Sequence, residues 1–331
     1  MRCAVVGAGA WGTALADLLA SNGYETVVWA YETDVATAIN ASHENPRFLA
    51  GATLAPSLRA TSDQCEAVRG AELVVFATPS HHLRSIAAAT CTHIGRDTIL
   101  AVASKGIERG TLSLMTTVIH DEVPGRSVVG VSGPSFATEV AKRQPTAIVA
   151  ASESIAAAET VQALLSNSTF RVYTHDDVTG VELAGALKNV MAVATGIVEG
   201  VGLGFNSRAA LITRGLHEMT RLGVAIGAKS STFAGLAGVG DLVLTCTGAL
   251  SRNRAVGVDV GRGLSLDEAL AGKETVAEGV FTTESAVALA AREGVDMPIV
   301  QTVYRILFGG HPARLAVPEL MARELRPEQD L

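Results

Sequence analysis

Short apolar runs alternate with helix-compatible segments through the first half of the chain. The runs lie at residues 3–6, 26–29, 73–77, 98–103, 128–131 and 147–150. Each run is continuous rather than alternating, which is typical of strands buried on both faces of a sheet. The pattern therefore predicts an α/β domain whose parallel-rich sheet is covered by helices.

The pattern changes after about residue 178. Val178–Glu199 is rich in Val, Leu, Ala and Met, and further helical segments follow at 207–222, 252–260, 266–271, 283–292 and 298–308. We therefore predict an α/β domain over residues 1–178 and an all-helical domain over residues 179–331, with a frayed end at 326–331. Two domains also agree with the length of 331 residues.

Charge and cysteine content argue against several classes of protein. The formal net charge is −7, so nucleic acid is not an expected partner. The four cysteines, Cys3, Cys65, Cys91 and Cys246, form no CxxC pair, which disfavours a zinc site or disulfide framework and predicts a reducing cytoplasm. The chain leads directly into an apolar strand, so no signal peptide is expected. No stretch of roughly 18–20 apolar residues lacks charges and helix breakers, so no membrane insertion is expected.

A glycine motif follows the first predicted strand. Gly7-Ala8-Gly9-Ala10-Trp11-Gly12 matches GxGxxG and opens a predicted helix, which is the context that a dinucleotide-binding turn requires. Gly7 permits the tight turn, Gly9 lets a pyrophosphate approach the backbone, and Gly12 allows close packing of helix and strand. The motif predicts a Rossmann-type domain that binds a dinucleotide at the helix N-terminus.

The segment after the second predicted strand bears on the ribose of such a cofactor. It reads Tyr31-Glu32. NAD-binding domains place an acidic residue there, whose carboxylate accepts hydrogen bonds from the hydroxyl groups of the ribose. Glu32 is either that residue or a solvated loop charge. No Lys or Arg stands in this segment to hold a 2′-phosphate.

Three polar segments follow other predicted strands. They are Thr78-Pro79-Ser80, Ser104-Lys105-Gly106 and Ser132-Gly133-Pro134-Ser135-Phe136-Ala137. Ligands of open α/β sheets bind beyond the carboxyl ends of the strands, so the first segment is expected to cover a cofactor. Lys105 is expected to attract an anion or polarise a carbonyl there; the alternative is an ordinary surface lysine.

One lysine lies within an apolar helical segment of the second half. Lys188 has Ala184, Gly185, Met191 and Ala192 one turn away on either side. Desolvation lowers the pKa of a lysine toward neutrality and suits it to general acid–base work. The alternative is a side chain that extends to the surface. The neighbouring Asn189 is expected to bind another part of the ligand.

A basic helix start follows further along. Ser251 is a plausible N-cap for a helix whose first turn carries Arg252 and Arg254. Arginines there oppose the helix dipole unless an anion such as phosphate binds that end; the alternative is a solvated basic cluster. Upstream, Asp241 follows a glycine-rich run and either orients Lys188 or caps a helix.

Taken in order, these segments resemble the bacterial type of the NAD(P)-dependent glycerol-3-phosphate dehydrogenase family. The matching motifs are Gly7–Gly12, Ser104–Gly106, Ser132–Ala137, Glu182–Asn189, Gly238–Thr247 with Ser251–Arg254, and Ala277–Thr283. The resemblance runs from residue 1 to about residue 323, and the ordered set is much more specific than one motif.

The resemblance implies an oxidoreductase that transfers hydride between NAD or NADP and C2 of dihydroxyacetone phosphate, giving sn-glycerol 3-phosphate for glycerophospholipid synthesis. It also implies a Rossmann-type domain, a helical domain, a homodimer and no metal. Lys188 resembles the residue that exchanges a proton with the C2 oxygen. Lys105 resembles a residue that touches both substrate and cofactor, and Asp241 is the third residue expected to take part in the chemistry.

The predicted binding residues fall into two groups that share members. The substrate contacts are Lys105, Gly133, Ser135, Lys188, Asn189, Asp241, Ser251, Arg252 and Asn253. The cofactor contacts are Gly7, Gly9, Ala10, Trp11, Gly12, Tyr31, Glu32, Phe48, Lys105, Ala137, Arg252, Val276 and Glu278.

One departure and three alternatives accompany this resemblance. Members of the family that use NADPH commonly carry Arg where this chain has Tyr31-Glu32, which favours NAD or dual use. A dehydrogenase for a 3-hydroxy acid or ketopantoate would share the glycine motif and a helical lysine, but it would not need the Ser251–Asn253 helix start. A related phosphorylated ketone is an alternative substrate. A non-catalytic NAD(P)H-binding sensor would tolerate replacement of Lys188.

Overall fold

A computed structural model of the chain describes residues 1–272, 277–325 and 327–328. The chain divides into two compact units, the first of residues 1–105 and 113–178, the second of residues 106–112 and 179–331. The predicted domains, 1–178 and 179–331, differ from this division at the segment 106–112. The predicted cofactor contact Val276 and most of the predicted frayed end, 326–331, lie outside the described residues.

The described residues of the first unit form ten strands and seven α-helices. The strands are β1 Arg2–Val6, β2 Glu25–Trp29, β3 Glu44–Asn45, β4 Leu49–Thr53, β5 Arg59–Thr61, β6 Leu73–Phe76, β7 Ile99–Val102, β8 Val128–Ser132, β9 Thr146–Ala151 and β10 Phe170–His175. The helices are α1 Ala10–Ser21, α2 Thr33–Ser42, α3 Gln64–Val68, α4 Leu83–Thr90, α5 Met115–Glu122, α6 Ala137–Ala141 and α7 Ile155–Leu165.

The main sheet of this unit has the order β5-β2-β1-β6-β7-β8-β9-β10. The first six strands in this order, β5, β2, β1, β6, β7 and β8, are all parallel to their neighbours in that group. The strand β9 is antiparallel to β8, and β10 is parallel to β9. The predicted α/β Rossmann-type domain with a parallel-rich sheet is confirmed. Because β1, β6, β7 and β8 are parallel, their carboxyl ends lie along one edge, where the polar segments follow.

Apart from its segment 106–112, the second unit consists of helices and the loops between them in the part that the structure describes. Its helices are α8 Val178–Gly200, α9 Phe205–Ala225, α10 Ser230–Phe233, α11 Asp241–Thr247, α12 Arg252–Gly261, α13 Leu266–Leu270, α14 Glu278–Glu293, α15 Pro298–Phe308 and α16 Ala313–Met321. A single π-helical turn at Leu236–Gly240 precedes α11. The predicted all-helical second half is thus confirmed for these residues.

The helix α8 is the core helix of the second unit. By length and composition alone it is apolar enough to span a bilayer, with a mean hydropathy of 1.4 over its most apolar 18 residues, but every residue of that window is buried inside the protein. Its apolar character is therefore used in packing against the neighbouring helices of the chain.

A buried carboxyl group holds the start of α15. Glu218, on α9, is 1% exposed, and its side chain accepts hydrogen bonds from the backbone N–H groups of Ile299 (2.8 Å) and Val300 (3.3 Å). Those groups have no partner within their own helix, so Glu218 supplies one from another helix. Burial raises the pKa of Glu218 from 4.5 to about 7, although the two N–H groups act in the opposite direction.

We expect Glu218→Gln to change the pH dependence of stability. A carboxyl group whose pKa is raised by folding holds its proton more tightly in the folded state, so its stabilisation is complete below pH 4.5 and is lost as the pH rises through about 7. Relative to Glu218→Gln, the wild type should lose about 3 kcal/mol of unfolding free energy between pH 4.5 and 8. Urea unfolding of both proteins across this range measures the difference; a constant difference would contradict the expectation.

Candidate active site

The glycine motif forms a tight turn between β1 and α1. Gly7 has φ +115°, and a Cβ there would lie 2.9 Å from the carbonyl oxygen of Ala77. A Cβ on Gly12 would overlap the carbonyl oxygen of Gly7, whereas a Cβ on Gly9 would have nothing within 4 Å. The turn therefore requires glycine at positions 7 and 12, and position 9 leaves the backbone N–H groups at the start of α1 open to an anion.

A buried asparagine that sequence reasoning missed holds this turn in place. Asn45 is fully buried, and its Nδ2 donates to the carbonyl oxygen of Ala8 (2.9 Å) and to Oγ1 of Thr13 (2.8 Å). Its Oδ1 accepts from the backbone N–H of Phe48 (3.1 Å). Asn45 thereby ties the loop that carries the predicted cofactor contact Phe48 to the glycine turn. Its position before Pro46 marks a loop, but its partner is 37 residues away.

Three buried polar atoms near the carboxyl edge of the sheet test whether a cofactor fits there. Nε1 of Trp11, Oγ1 of Thr78 and Oγ of Ser132 have no hydrogen-bond partner among the described residues. Buried polar atoms are rarely left unsatisfied, and Thr78 and Ser132 lie at or just beyond the ends of β6 and β8. Together with the open backbone at Gly9, these atoms are suited to a polar ligand such as a dinucleotide.

The predicted ribose segment lies between β2 and α2. Tyr31 is 80% exposed and meets Trp29 edge to face at 6.3 Å, and the half-buried Glu32 precedes the first turn of α2 without capping it. Folding also brings in a cation from another loop, because Arg47 lies 4.0 Å from Asp34 on that first turn. A positive charge from outside the segment therefore lies near it, and the sequence of the segment itself does not show this charge.

Three predicted residues meet beyond β7 and β8. Nζ of Lys105 and Oγ of Ser135 both point to the carbonyl oxygen of Gly133, at 3.4 Å and 3.1 Å. Gly133 has φ +143°, and a Cβ there would lie 2.8 Å from the Cα of Ile148, so this loop also requires glycine. The predicted contact Ala137 begins α6 directly afterwards.

In the second unit, Lys188 is enclosed by polar groups that α11 supplies. Lys188 is 8% exposed, and its Nζ donates to Oδ1 of Asp241 and to Oγ1 of Thr245 (3.0 Å). Oγ1 of Thr245 donates to the backbone carbonyl of Asp241 at 2.7 Å. Burial favours the neutral amine, whereas the adjacent carboxylate favours the ammonium ion. The side chain does not extend to the surface, and Thr245 is a contact that sequence reasoning missed.

The thiol of Cys246, next to Lys188 and Asp241, is expected to be unreactive. Cys246 is fully buried, and burial raises its pKa to about 12. A thiol that stays protonated is a poor nucleophile and a poor metal ligand. Within the described residues, no group of three His, Cys, Asp or Glu side chains has the arrangement of a metal site.

The two arginines of the basic helix start have different surroundings. Ser251 caps α12 as predicted, with its Oγ accepting from the backbone N–H of Arg254 (3.3 Å). Arg254 forms a fork of hydrogen bonds with Glu199 at 2.7–3.1 Å. Arg252 makes no hydrogen bond to the described residues; desolvation lowers its pKa while Glu278 acts in the opposite direction. Of the two arginines, Arg252 is therefore the one available to an anion, because Nε and Nη2 of Arg254 are engaged by Glu199.

Two predicted substrate contacts are bonded to each other. Nδ2 of Asn253 donates to Oδ1 of Asn189 (2.9 Å), and Oδ1 of Asn253 accepts from the backbone N–H of Gly279 (2.9 Å). This chain joins α8, α12 and α14, and each member is adjacent in sequence to a predicted ligand contact: Lys188, Arg252 and Glu278. The structure thus gives both asparagines a role in holding helices together.

The predicted residues therefore form two sets, one in each unit. The first unit groups the glycine turn, Tyr31, Glu32, Phe48, Lys105, Gly133, Ser135 and Ala137 along or near one edge of its sheet. The second unit groups Lys188 with Asp241, and Asn189 with Asn253, beside Ser251, Arg252 and Glu278.

Comparison with known proteins places the whole chain in one family. Residues 2–158 match the model of the NAD-dependent glycerol-3-phosphate dehydrogenase N-terminus, and residues 177–318 match that of its C-terminus. A protein of Trichlorobacter lovleyi named glycerol-3-phosphate dehydrogenase (NAD(P)+) is 56% identical, with 99% of this chain and 100% of that protein covered. A Streptomyces griseus protein of the same name is 48% identical, with 99% and 98% covered.

Solved structures agree with these matches. The crystal structure of glycerol-3-phosphate dehydrogenase from Coxiella burnetii superposes with a TM-score of 0.94 and 39% identity, covering 97% of this chain and 99% of that one. A ketopantoate reductase from Ralstonia eutropha has a TM-score of 0.61 at 17% identity, covering 97% and 100%, and shares the fold alone. Matches to both halves of the chain, and a relative 56% identical along its full length, lead to one conclusion. The chain belongs to the NAD-dependent glycerol-3-phosphate dehydrogenase family.

Proposed function

We propose that the protein is a glycerol-3-phosphate dehydrogenase, which interconverts dihydroxyacetone phosphate and sn-glycerol 3-phosphate with NAD(H) or NADP(H). The observation that supports this best is the pairing of a buried Lys188 with Asp241 in the same unit as an arginine, Arg252, that no described residue neutralises by a hydrogen bond. To bind and reduce this substrate, the protein has to supply a proton donor for the carbonyl oxygen and a cation for the phosphate group.

The first unit would hold the cofactor, which supplies or accepts a hydride at its nicotinamide ring. The N–H groups beyond Gly9 would receive the pyrophosphate, and Thr78 and Ser132 offer unsatisfied hydroxyls close to the same edge of the sheet. Lys105 adds a positive charge there. These residues bind and orient; they need supply no proton.

Lys188 would supply the proton. When a hydride adds to C2 of the ketone, the carbonyl oxygen gains negative charge and takes a proton from the Lys188 ammonium; the amine then regains one from water. Asp241 and Thr245 fix the direction of Nζ and keep the ammonium form accessible despite burial. In the opposite direction, the neutral amine removes the proton from the C2 hydroxyl.

Arg252 would bind the phosphate. A guanidinium can donate two parallel hydrogen bonds to a phosphate, and the N-terminus of α12 adds its positive end, already ordered by the Ser251 cap. Phosphate binding of this kind explains why an arginine stands in a first turn where the helix dipole opposes it.

Steady-state oxidation of NADH and NADPH, followed at the nicotinamide absorbance, tests the proposal. We expect kcat/KM to be at least 100-fold higher with dihydroxyacetone phosphate than with unphosphorylated dihydroxyacetone, because a charged phosphate–arginine interaction contributes on the order of 3 kcal/mol. Equal efficiency with the two ketones would contradict the assigned role of Arg252.

Glu32→Arg should shift cofactor preference toward NADPH. A carboxylate at this position repels a 2′-phosphate, whereas arginine binds it. We expect the ratio of kcat/KM for NADPH to that for NADH to rise about tenfold or more. The matched control is Glu25→Arg, which makes the same change of charge at the opposite end of β2, and an equal shift in both variants would show a general charge effect instead.

The quaternary and cellular setting is part of the same proposal. We propose a homodimer that works in the cytoplasm and supplies glycerol 3-phosphate to glycerophospholipid synthesis. The lack of a disulfide among the four cysteines and the family of its relatives support this setting. Sedimentation equilibrium tests the dimer: a single species of twice the 34.1 kDa chain mass is expected, and a monomer would contradict it.

A further inference from the structure

The helices α8 and α12 pack with their backbones in contact. A Cβ on Gly196 or Gly200 would overlap backbone atoms of α12, and a Cβ on Gly257 would overlap the carbonyl oxygen of Val193 on α8. A Cβ on Gly261 would lie 2.5 Å from the carbonyl oxygen of Ile197. Glycines four residues apart on both helices thus form a seam with no side chain between the helices, as in other GxxxG contacts.

The seam fixes how the two helices are aligned. Gly196 lies against Gly257 and Gly200 against Gly261, so the helices run parallel with a constant offset. At that offset Arg252 is level with Met191, roughly one turn beyond Lys188 along α8. The distance between the proposed proton donor and the proposed phosphate partner therefore depends on the axial alignment of α8 and α12.

A seam of glycines lacks the interdigitating side chains that resist sliding, but two polar pairs do resist it. Arg254 reaches forward to Glu199, which lies about 9 Å further along the shared axis at a rise of 1.5 Å per residue. Asn253 reaches back in the opposite direction to Asn189. Because these two contacts point in opposite directions along the axis, together they resist sliding of α12 along α8 in either direction. The Arg254–Glu199 fork has three hydrogen bonds and is therefore the stiffer of the two contacts.

We propose that Glu199 and Arg254 are positioning residues, which set the spacing between Lys188 and Arg252 and thereby match the site to a ketone with a phosphate at a fixed distance from its carbonyl. This inference rests on the proposed function. It also accounts for the second arginine of the α12 first turn, whose role is to brace the helix rather than to bind the ligand. Neither residue touches the substrate in this scheme.

The test is the ratio of kcat/KM for dihydroxyacetone phosphate to kcat/KM for dihydroxyacetone. In Glu199→Gln the fork is lost, so we expect the ratio to fall at least tenfold, through a higher KM for the phosphate ester, while the efficiency with dihydroxyacetone stays within about twofold. A merely structural role would lower both efficiencies together and leave the ratio unchanged.

A control and a second variant make this test specific. Arg208 also donates to Glu199, at 3.0 Å, but from α9, so Arg208→Gln should keep the ratio within twofold of the wild type. Arg254→Lys keeps the charge and loses the fork, and it should lower the ratio even if Glu199→Gln does not fold. An unchanged ratio in Arg254→Lys, or in a folded Glu199→Gln, overturns the inference. A wild type that does not favour the phosphate ester instead overturns the proposed function.

Discussion

Replacing Lys188 by alanine is expected to lower kcat for dihydroxyacetone phosphate reduction by about 1,000-fold, within the range that general acid catalysis contributes. Lys188 is buried on α8, and Asp241 and Thr245 accept hydrogen bonds from its Nζ. Without it, the oxygen that gains charge at C2 has no proton donor in this cluster, while the residues of the first unit that would hold the cofactor are unchanged. NADH affinity should therefore stay within about twofold.

Two measurements separate loss of chemistry from loss of fold in this variant. Lys188→Ala leaves the carboxylate of Asp241, which is 1% exposed, without its cation, and such a change destabilises by about 3–5 kcal/mol. Circular dichroism and urea unfolding must therefore show a folded protein at the assay temperature. The matched control is Lys229→Ala, an exposed lysine in the same unit, with kcat within twofold. A folded Lys188→Ala protein that keeps more than a tenth of the wild-type kcat would rule out the assigned role.

Replacing Gly12 by alanine is expected to weaken cofactor binding strongly and to destabilise the first unit. Its Cβ would overlap the carbonyl oxygen of Gly7 and lie 3.1 Å from the Cβ of Ala77. The turn has to open, at a cost of about 3 kcal/mol or more, and the helix start that faces the pyrophosphate moves with it. NADH affinity, measured by nicotinamide fluorescence, should fall by at least 100-fold.

Gly9→Ala is the matched comparison for this prediction. The new Cβ would meet nothing within 4 Å, so the unfolding free energy should change by less than about 1 kcal/mol. The methyl group would nevertheless occupy the space through which the pyrophosphate approaches the backbone, so NADH affinity should still fall. Wild-type affinity in both variants would show that the dinucleotide does not bind at this turn.

The fold was predictable where the signal is local. The continuous apolar runs identified β1, β2, β6, β7, β8 and β9, since strands buried on both faces carry that pattern. The edge strand β10 was missed because buried and exposed residues alternate along it. The helix α14 begins at Glu278 rather than at the predicted residue 283, since the polar residues of its first turns obscure the apolar periodicity.

The same distinction between local and distant signals applies to the candidate site. Chain-local features, such as the glycine turn and the Ser251 cap, followed from spacing alone. Asn45, Thr245 and Glu199 did not, because each acts on a partner 32 to 57 positions away. Such contacts depend on which helices and loops fold against each other, and a single polar residue in a loop or helix carries no mark of its partner.

The proposed reaction moves a hydride between the nicotinamide and C2 of a phosphorylated ketone. Incubating the enzyme with dihydroxyacetone phosphate and NADH deuterated at the reactive nicotinamide position, followed by NMR and mass spectrometry of the product, tests it most directly. We expect glycerol 3-phosphate with one deuterium at C2, formed in step with NADH oxidation, as the proposed reaction requires. Product without deuterium at C2, or no product from a folded protein that binds NADH, would contradict it.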